Sequence, residues 1–446
     1  MPSAIPTRKE APFEVAIIGA GIVGVTLSLG LLARNIPFTL YERASSFREI
    51  GAGIGFSPNA ERAMGLLSPD ILSAFKRVAN PNGEDYFQWV DGFSSDQNKL
   101  MYKLHVGKDG FQGCRRSDIL EEWAKLLPAN RVQFGKEISS LIDSGTNNGG
   151  VRLEFTDGTS AKASVVIGCD GIRSRVRQHV LSKASPSATP GYTRKFCYRA
   201  LVDMNAAIAK PAIGKGQALT RFMYNGPRAH VITYPVGNNT LMNVLVVLSD
   251  PKQNWPEELV KQGKHTADGS KAEVVNAFKE WNPTVREIVE LLPEESTLEK
   301  WAIFDMAEHR AETYAKGRVC IAGDAAHATG PHLGAGGGLG IEDALCLAGL
   351  MEVVQKRCQQ DGNDYDEKMV VEAALKAYND VRYDRTQWVV QATREAVDLF
   401  HWTNKEVGSD AEKFGREITQ KFHRIWEYDV QGMVKEALGK MDGLAG

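Results

Sequence analysis

The chain has 446 residues, of which 43% are hydrophobic and 24% are charged, and its formal net charge is −2. This length and composition predict a globular protein of two or three structural units. The near-neutral charge argues against a nucleic-acid partner, because binding to a phosphate backbone needs a surplus of Lys and Arg. The six cysteines form no CxxC pair, so neither a zinc site nor a thioredoxin-type motif is indicated.

The first apolar stretch, residues 15–33, has no charged residue and is about as long as the ~20 residues of a membrane helix. Its spacing favours a different structure. The run VAII predicts a buried parallel strand, and Gly19, Gly21 and Gly24 follow it in the pattern GxGxxG before a helical run. Three close glycines and polar flanks argue against a membrane span. The residues before the stretch do not resemble a signal peptide, so we expect a soluble, cytoplasmic protein without a membrane partner.

A second strand is predicted in PFTLYER, which contains Glu42 and Arg43, and both belong to the predicted cofactor site. Glu42 lies close to the offset of about 20 residues at which dinucleotide folds place the acid that binds the ribose hydroxyls. In such folds the first glycine permits a tight turn, the second lets the backbone approach a pyrophosphate, and the third lets the helix pack on the strand. The order of strand, glycine turn, helix, strand and acid predicts a site for NAD or FAD.

Two later segments each place an aspartate after an apolar strand. In ASVVIGCDGIRSRVR (163–177) the strand leads into Asp170 and Gly171. In GRVCIAGDAAHATGPHLGAGGGLGIEDAL (317–345) it leads into Gly323 and Asp324. Alone, a DG pair is more often a turn, and an aspartate can simply cap a helix. The ordered set of glycine turn, DG pair and GD pair is more specific than any one of them.

Between these segments, four stretches predict strands of an antiparallel sheet. They are RKFCYRALVDM, ALTRFMYN, AHVITYPVG and TLMNVLVVL. Arg199 stands among apolar residues in the first stretch, and a substrate anion is a reasonable partner because buried arginines are rare unless paired. A structural ion pair is the alternative. Tyr234 is the second candidate, and an ordinary half-buried strand tyrosine is the alternative there.

His327 and His332 lie close together in HATGPH, which raises the question of a metal site. No carboxylate or cysteine stands at ligand spacing, so we predict no metal. No GxSxG or HExxH motif occurs, which leaves hydrolase chemistry without support. From about residue 366 onward the pattern is helical and charged, and it predicts a C-terminal helical region.

The ordered motifs resemble those of the flavoprotein aromatic hydroxylases, the class built like p-hydroxybenzoate hydroxylase. The resemblance implies an α/β fold with a Rossmann-like FAD-binding domain, an antiparallel β-sheet substrate domain and the C-terminal helices. It also implies tightly bound FAD, with NADH or NADPH as a transient co-substrate and O2 as the oxidant. No second GxGxxG follows a strand, which agrees with a single tightly held dinucleotide.

The same resemblance implies roles for residues in the cofactor site. Asp324 is expected at the ribityl chain of FAD, and Arg116 of CRRSDIL near the ribose and phosphates. Gly55 of REIGAGIGFSPNA is expected to contact the cofactor through its backbone. The pair Asp170–Gly171 is expected to support both the flavin and the passing nicotinamide nucleotide. The expected neighbours of the isoalloxazine ring are Pro331, Gly334 and Gly337.

A narrower likeness is to the fungal salicylate-hydroxylase-like branch, which includes the dearomatising hydroxylases of tropolone, sorbicillinoid and azaphilone pathways. The matching stretches include FQWVDGF, GFQGCRRSDIL, PHLGAGGGLGIEDALCL and RIWEYDV, and they are spread over nearly the whole chain. The likeness implies that Arg199 holds a phenolate and that Tyr234 orients it. Phe111 occupies a position where some members carry a tyrosine, and Phe111, Pro331 and His332 complete the implied substrate site. The loop GAGGGLG departs from the pattern, with glycines where relatives often carry alanine or cysteine.

The expected FAD-binding domain is discontinuous, over residues 1–80, 105–185 and 300–365. The substrate domain is expected over 81–104 and 186–299, and the helical region over 366–446. The resemblance implies a monomer or homodimer that hydroxylates a small phenolic substrate through a flavin C4a-hydroperoxide. Dearomatising hydroxylation of a polyketide-derived resorcinol aldehyde or ketone is the leading expectation. Decarboxylating hydroxylation of salicylate is the alternative, and an FAD-binding reductase or carrier without oxygenase activity is an alternative of another class.

Overall fold

The computed structural model describes residues 13–47, 52–94, 98–107, 110–146, 149–252, 254–294, 297–359 and 366–445. Residues 48–51 of the REIGAGIGFSPNA segment, and residues 1–12 and 360–365 of the predicted FAD-binding domain, lie outside the described residues. All of the predicted site residues lie within them.

The strands of the described residues are numbered in chain order. They are β1 (Val15–Ile18), β2 (Phe38–Glu42), β3 (Gly53–Phe56), β4 (Asn80–Pro81), β5 (Tyr86–Asp91), β6 (Leu100–His105), β7 (Gln112–Arg115), β8 (Val132–Phe134), β9 (Ile138–Asp143), β10 (Val151–Phe155), β11 (Ser160–Ala163), β12 (Val165–Gly168), β13 (Gly191–Asp203), β14 (Phe222–Gly226), β15 (Ala229–Val236), β16 (Leu241–Ser249), β17 (Thr266–Asp268), β18 (Glu299–Asp305), β19 (Ala315–Lys316) and β20 (Val319–Ile321).

The α-helices are numbered in the same way. They are α1 (Ile22–Leu32), α2 (Pro58–Leu67), α3 (Pro69–Val78), α4 (Arg116–Ala124), α5 (Arg175–Leu181), α6 (Met204–Ile208), α7 (Lys215–Ala218), α8 (Glu257–Lys261), α9 (Lys271–Ala277), α10 (Pro283–Glu290), α11 (Asp324–His327), α12 (Gly336–Cys358), α13 (Glu367–Phe400), α14 (Ala411–Trp426) and α15 (Val430–Ala445).

A six-stranded sheet in the order β19-β20-β12-β1-β2-β8 forms the nucleotide-binding half of the fold. Its pairs are parallel except for β19 with β20. All four residues of β1 are buried, as expected for a parallel strand covered on both faces. Because β1, β2 and β12 are parallel, their carboxyl ends meet at one edge, where open α/β sheets bind ligands.

The opening apolar stretch is therefore divided between a strand and a helix. β1 takes its first four residues, and α1 begins at Ile22 after the glycine turn. α1 packs against α12, and nine of its eleven residues are buried. Within the described ranges, every helix falls short of the combined length and apolar character that crossing a bilayer demands.

The second large sheet has eight strands in the order β17-β18-β13-β16-β15-β14-β5-β6. All four stretches predicted as strands belong to it, as β13 to β16. Its described pairs are antiparallel except for β14 with β5. β18 also pairs with β13, so residues 300–305, which the predicted boundary assigns to the FAD-binding domain, pair instead within this sheet. The long β13 offers an unpaired edge there, and backbone pairing of that edge decides the location of β18.

The two faces of this sheet meet different partners. One face packs on α9 and α10 through a cluster that contains Phe278 and Val285. The other face packs on α13 and α14 through a cluster that contains Phe400 and Phe422. The predicted C-terminal helical region is thus present, and it covers the sheet face that carries Tyr234. The predicted fold class, an α/β nucleotide-binding fold with an antiparallel sheet and C-terminal helices, is confirmed.

Candidate active site

A cleft of about 880 Å³ opens at the carboxyl ends of β1, β2 and β12. It is lined by residues from all three motifs that the sequence singled out. The predicted cofactor residues in its lining are Gly19, Gly21, Glu42, Arg43, Arg116, Asp170, Gly171, Asp324 and Gly337. Segments that are far apart in the sequence are therefore brought to one place, at the edge of the sheet where a dinucleotide is expected.

The three glycines of the turn between β1 and α1 have different surroundings. Gly19 has φ +101°, and a Cβ there would lie 2.5 Å from the backbone oxygen of Cys169. A Cβ on Gly24 would lie 1.9 Å from the backbone oxygen of Gly19, so only glycine lets the helix approach the strand. Gly21 differs, because the nearest atom to its Cβ position is Nη2 of Arg116, at 4.0 Å. The open face of Gly21 leaves room for a phosphate group beside a guanidinium.

This contrast gives the first prediction. Gly21→Ala clashes with nothing in the protein, so we expect thermal stability of the apoprotein to be retained while FAD occupancy falls at least about tenfold, since the methyl group blocks the approach of the pyrophosphate. Gly216→Ala is the matched control, because a Cβ at that glycine likewise meets no protein atom at clashing distance. Bound FAD is measured by absorbance after desalting. Equal FAD content in both variants would contradict the placement of the phosphates at Gly21.

Glu42 organises the glycine turn from the end of β2. Its carboxylate accepts hydrogen bonds from the backbone N–H of Ala20 at 2.7 Å and of Ala44 at 2.8 Å. Arg43 follows it in the lining of the cleft. Burial lowers the pKa of the neighbouring Arg173, and the positive charge of Arg43 acts in the same direction. The cleft thus combines one carboxylate suited to ribose hydroxyls with several cations suited to phosphates. The structure adds Arg173 and Arg175 to the predicted cations.

The DG pair has a structural task as well as a place in the cleft. The Asp170 carboxylate accepts hydrogen bonds from the Ser174 hydroxyl at 2.5 Å and from the Arg175 N–H at 2.7 Å. It therefore fixes the start of α5, and burial raises its pKa. Gly171 has φ +77°, a conformation that favours glycine. Asp170 shapes this wall of the cleft mainly through the loop that it holds.

The GD pair sits at the start of α11. Gly323 has φ +60°, and its N–H donates to a carboxylate oxygen of Asp343 at 2.9 Å. Asp324, the next residue, lines the cleft. Behind it, the buried Arg177 donates to the backbone oxygen of Ala325 at 3.0 Å. Asp324 thus faces the cleft from a backbone that is held from two sides.

Five predicted cofactor residues lie outside the lining of the cleft. Gly24 and Gly323 have packing roles, since a Cβ on Gly323 would lie 2.6 Å from Val23. Pro331 and Gly334 lie at exposed positions of the loop before α12. Gly55 lies against the Phe111 ring, which would be 2.0 Å from its Cβ. The predicted backbone contact of Gly55 to FAD, and the predicted positions of Pro331 and Gly334 along the isoalloxazine ring, remain predictions.

The strand β3 separates the cleft from the predicted substrate site. The side chain of Ile54 lines the cleft. On the other side, a Cβ on Gly53 would lie 2.8 Å from the Tyr234 hydroxyl oxygen, and Phe111 covers Gly55. The two glycines therefore let the substrate-domain residues come within a strand's thickness of the cleft. This proximity is what a cofactor and a substrate that react with each other require.

Arg199 and Tyr234 share the covered face of the eight-stranded sheet. Arg199 of β13 pairs with Leu245 of β16, and Tyr234 of β15 pairs with Asn243 of β16. Leu245 and Asn243 are two residues apart on β16, so their side chains point to the same face of the sheet. Directly paired residues share a face, and Arg199 and Tyr234 therefore lie on that same face, with β16 between their strands. The Arg199 and Tyr234 strands are two spacings apart, or about 10 Å, which leaves room for an aromatic ring.

The Arg199 guanidinium is stacked on an aromatic ring. Its central carbon lies 3.7 Å from the ring centroid of Trp301, and it forms no ion pair with any described residue. Burial lowers its pKa, and the like charge of Arg116 acts in the same direction. Arginine nevertheless stays protonated near neutral pH. The structural ion pair considered as the alternative is absent from the described residues, although the more distant charge of Glu299 acts on Arg199 and partly offsets the lowering of its pKa.

Tyr234 is 8% exposed and lies edge-on to Phe111, with ring centroids 5.9 Å apart. Burial raises its pKa, although the nearby cations Arg221 and Arg199 oppose the shift. The phenol therefore stays protonated at neutral pH and is able to donate a hydrogen bond. Phe111 itself is buried against Phe87, so it forms an apolar wall next to the Tyr234 ring.

His332, the last predicted substrate residue, is buried beside a second histidine. Its ring centroid lies 5.6 Å from that of His230, and its Nδ1 atom has no hydrogen-bond partner. His230 Nδ1 is 2.9 Å from Nε2 of His401, whose Nδ1 is 3.0 Å from the Ser249 hydroxyl. His327 does not join this group, because it is bound to Asp343 at 2.6 Å. No group of three potential metal-binding side chains occurs in the ranges that the structure covers.

Sequence reasoning missed a network of buried charges behind the cofactor cleft. Arg382 of α13 binds Asp343 at 2.7 Å and Glu342 at 2.8 Å, and Arg385 binds Glu342 at 2.7 Å. The signal was present as two adjacent acids in the otherwise apolar start of α12, GLGIEDALCLAGL. Asp343 also binds the Gly323 N–H, so the network connects the C-terminal helices to the loop of Asp324.

Arg221 was also missed. It stands in ALTRFMYN among apolar residues, which is the same signal that singled out Arg199. It is 3% exposed, and its guanidinium carbon lies 3.8 Å from the ring centroid of Phe87.

The glycine turn, the open face of Gly21, the Glu42 carboxylate and the surrounding cations together fit a bound dinucleotide. Comparison with known proteins agrees with this fit. The family model described as FAD binding domain matches residues 12–374, which is most of the chain.

Individual relatives match over nearly their full lengths. The chain is 46% identical over 432 residues to the FAD-dependent monooxygenase orf3 of Aspergillus niger, and the match covers 95% of each chain. It is 42% identical over 449 residues to the salicylate hydroxylase asL1 of Sarocladium schorii, covering 97% of this chain and 92% of that one. The solved structure of a salicylate hydroxylase substrate complex matches with a TM-score of 0.81 and 28% identity, covering 96% of this chain and 98% of the other.

Proposed function

The chain belongs to the FAD binding domain family and is an FAD-dependent monooxygenase of the aromatic-hydroxylase type; from this premise we propose that it hydroxylates a phenol held as its phenolate between Arg199 and Tyr234. The observation that carries the proposal is the Arg199 guanidinium, a half-buried cation on Trp301 with no ion pair among the described residues. NADH or NADPH and O2 are the proposed co-substrates, and secondary metabolism is the proposed setting.

The protein's part in the reaction is to bind and ionise the ring. A guanidinium next to the phenol oxygen favours the phenolate, because a low-dielectric site strengthens the attraction. The phenolate is a far better carbon nucleophile than the neutral phenol. Tyr234, protonated at neutral pH, donates a hydrogen bond that sets the ring's orientation, and Phe111 confines the ring from the side. These contacts decide which ring carbon faces the cofactor cleft.

The residues proposed to hold FAD are those of the cleft. The backbone at Gly21 and the Arg116 guanidinium would bind the pyrophosphate, Glu42 the ribose, and Asp324 the ribityl chain. When bound, FAD supplies the reduced flavin that converts O2 into an electrophilic oxygen donor. The apolar surroundings of Phe111 and Ile54 exclude water near the boundary between the cleft and the substrate face.

Two outcomes of this chemistry compete. We propose that the substrate is a resorcinol aldehyde or ketone that keeps its acyl group, so that oxygen insertion next to the phenolate gives a dienone. The second candidate is a salicylate-type substrate that loses carbon dioxide, and it is supported by the name of the relative asL1 and by the matched salicylate hydroxylase structure. Both candidates begin with a phenolate, so Arg199 serves either.

A turnover assay separates these candidates. The purified yellow protein is given NADH or NADPH in air with either 2,4-dihydroxybenzaldehyde or salicylate, and the products are analysed by mass. We expect the aldehyde to gain one oxygen atom and keep its carbonyl group. Loss of carbon dioxide from salicylate, without turnover of the aldehyde, would establish the second candidate instead. If neither phenol stimulates NAD(P)H oxidation, the proposed function is contradicted.

A further inference from the structure

The side chain of Arg221 lies in a cage of aromatic rings next to the proposed substrate site. Its guanidinium carbon is 3.8 Å from the Phe87 ring centroid, and the other rings around it are Phe111 at 5.5 Å, Trp89 at 5.6 Å and Phe422 at 5.9 Å. The residue is 3% exposed. Its Nη1 atom is buried without a hydrogen-bond partner, and it forms no ion pair with a described residue.

Burying a charged guanidinium in this way is energetically unfavourable for the protein when no ligand is bound. Burial lowers the pKa of Arg221 to about 9, so the side chain still carries its charge at neutral pH. The aromatic faces attract the cation, which offsets part of the cost. They do not accept the hydrogen bond of Nη1, and an unpaired buried donor is destabilising. A ligand oxygen with negative charge would satisfy both the charge and the free N–H.

The sheet register places this cation relative to Tyr234 and Arg199. Phe222 of β14 pairs with Thr233 of β15, so the same register, continued by one residue, brings Arg221 opposite Tyr234. Arg199 lies on β13, which is three strand spacings from β14, or about 14 Å. The two cations, neither of which forms an ion pair with a described residue, therefore lie on the same sheet face, one on each side of Tyr234. A ligand that contacts both presents two acidic oxygens that point in different directions.

We propose that Arg221 binds a second negatively charged oxygen of the substrate, on the far side of the ring from the phenolate oxygen at Arg199. This inference rests on the proposed function and narrows its substrate class to phenols with an acyl or carboxyl group across the ring. In a 4-hydroxybenzaldehyde the phenolate charge is shared with the aldehyde oxygen, and in a 4-hydroxybenzoate a carboxylate occupies that position. In salicylate the two acidic groups stand on adjacent carbons, so one cation meets both and Arg221 is left without a partner.

Binding to the FAD-loaded protein without NAD(P)H provides the test, with dissociation constants read from the change in the flavin absorption spectrum. The ligands are 2,4-dihydroxybenzaldehyde, 4-hydroxybenzoate, salicylate and resorcinol, which lacks the acyl group. We expect the wild-type protein to bind the aldehyde at least about tenfold more tightly than resorcinol. The affinity of 4-hydroxybenzoate relative to that of the aldehyde shows which group Arg221 binds better, a carboxylate or a carbonyl oxygen that shares the phenolate charge. Equal affinity for the aldehyde, 4-hydroxybenzoate and resorcinol would overturn the proposal without any variant.

The variant that removes the cation is Arg221→Met, which keeps an apolar side chain of similar length in the cage. We expect it to weaken binding of the aldehyde about 10- to 100-fold and binding of resorcinol by less than about twofold. Arg221→Lys, which keeps the charge but not the fork of donors, should give an intermediate loss. Arg424→Met is the matched control, because the Arg424 guanidinium is exposed and stacks on Trp388 at 4.0 Å. It belongs neither to the rings around Arg221 nor to the lining of the cofactor cleft.

The outcomes separate this inference from the proposed function. An equal loss for aldehyde and resorcinol in Arg221→Met would mean that Arg221 only supports the fold, and the inference would fail. Arg199→Ala provides the other comparison, since loss of phenolate binding there should weaken both ligands. If Arg199→Ala binds both phenols as tightly as the wild type does, Arg199 does not bind the phenolate, and that part of the proposed function fails. A loss of the preference for the aldehyde in Arg221→Met would still assign the acyl oxygen to Arg221. FAD content and melting temperature are recorded for each variant, and Arg221→Lys provides the same ligand comparison if Arg221→Met does not fold.

Discussion

Replacement of Arg199 by alanine is expected to lower kcat/KM for the phenolic substrate about 10²- to 10³-fold, the loss that follows removal of one preorganised group opposite a developing anion. The physical reason is the ionisation of the phenol. In the wild type the guanidinium stacked on Trp301 forms no ion pair with any described residue, so its charge is available to the phenolate. Without it, burial favours the neutral phenol, which reacts poorly.

The pH dependence distinguishes this loss from damage to the fold. Arg199 lowers the pKa of the bound phenol, so its removal matters most below the pKa of the free phenol. As pH rises past that value the ligand enters already ionised, and the difference between wild type and Arg199→Ala should narrow. Steady-state kinetics over the range of enzyme stability would measure this effect. A loss that is constant over that range would contradict the assigned role.

Two further variants calibrate the result. Arg194→Ala removes an arginine from the same strand whose side chain is exposed and close to Glu308, and its kinetics should match those of the wild type. Tyr234→Phe removes one neutral donor and keeps the ring beside Phe111, so we expect a smaller loss of about tenfold together with reduced selectivity for one ring face. Unchanged rate and facial selectivity in Tyr234→Phe would remove this tyrosine from the proposed mechanism.

The second large effect is expected from Arg382→Met, which should lower the free energy of unfolding by about 3–5 kcal/mol, as found when one partner of a buried ion pair is removed. Arg382 and its partners Glu342 and Asp343 are fully buried. Arg385 continues to bind Glu342, but one oxygen of Asp343 loses its guanidinium. Because Asp343 also accepts the Gly323 N–H, FAD retention should fall along with stability.

Chemical denaturation measures this effect, and Lys376→Met is its control on the same helix. Lys376 pairs with Asp380 at the surface, where such pairs contribute less than about 1 kcal/mol. A loss of stability in Arg382→Met no larger than in Lys376→Met would contradict the importance of the network. Loss of FAD without a change in unfolding would indicate that the network acts on the cofactor loop alone.

The same variant should change the acid sensitivity of the protein. Burial alone would raise the pKa of Asp343, but His327 and Arg382 lower it to about 2. A carboxyl group whose pKa is lower in the folded state stabilises the fold above its unfolded pKa of about 4, and this contribution is lost as pH falls towards 2. Without Arg382 the folded pKa rises, so acid unfolding should begin at higher pH. An unchanged acid transition would contradict this account.

The local motifs were sufficient to predict the class of protein and much of the cleft. The spacing of Gly19, Gly21 and Gly24 is a local pattern that the sequence shows directly, although the close contact of Gly19 is with the distant Cys169. Glu42 ends one predicted strand and Asp324 follows another, and parallel strands bring their carboxyl ends to one edge. Arg199 and Tyr234 were visible as polar residues in apolar strands, and the alternation of side chains then put them on one face.

The sequence by itself thus determined the strand and helix units, the glycine cradle, and the chemical nature of the candidate site. Only the tertiary structure decided which distant residues meet: Phe111 covers Gly55, Arg382 binds Asp343, and Arg221 is enclosed by rings from β5 and α14. The hydrogen bonds within helices and turns, and the periodicity of side chains, depend on residues that are close in the sequence, so they can be predicted from the sequence alone. Pairing across the chain depends on packing that the whole fold settles at once, because each close-packed contact constrains its neighbours, and no local pattern encodes it.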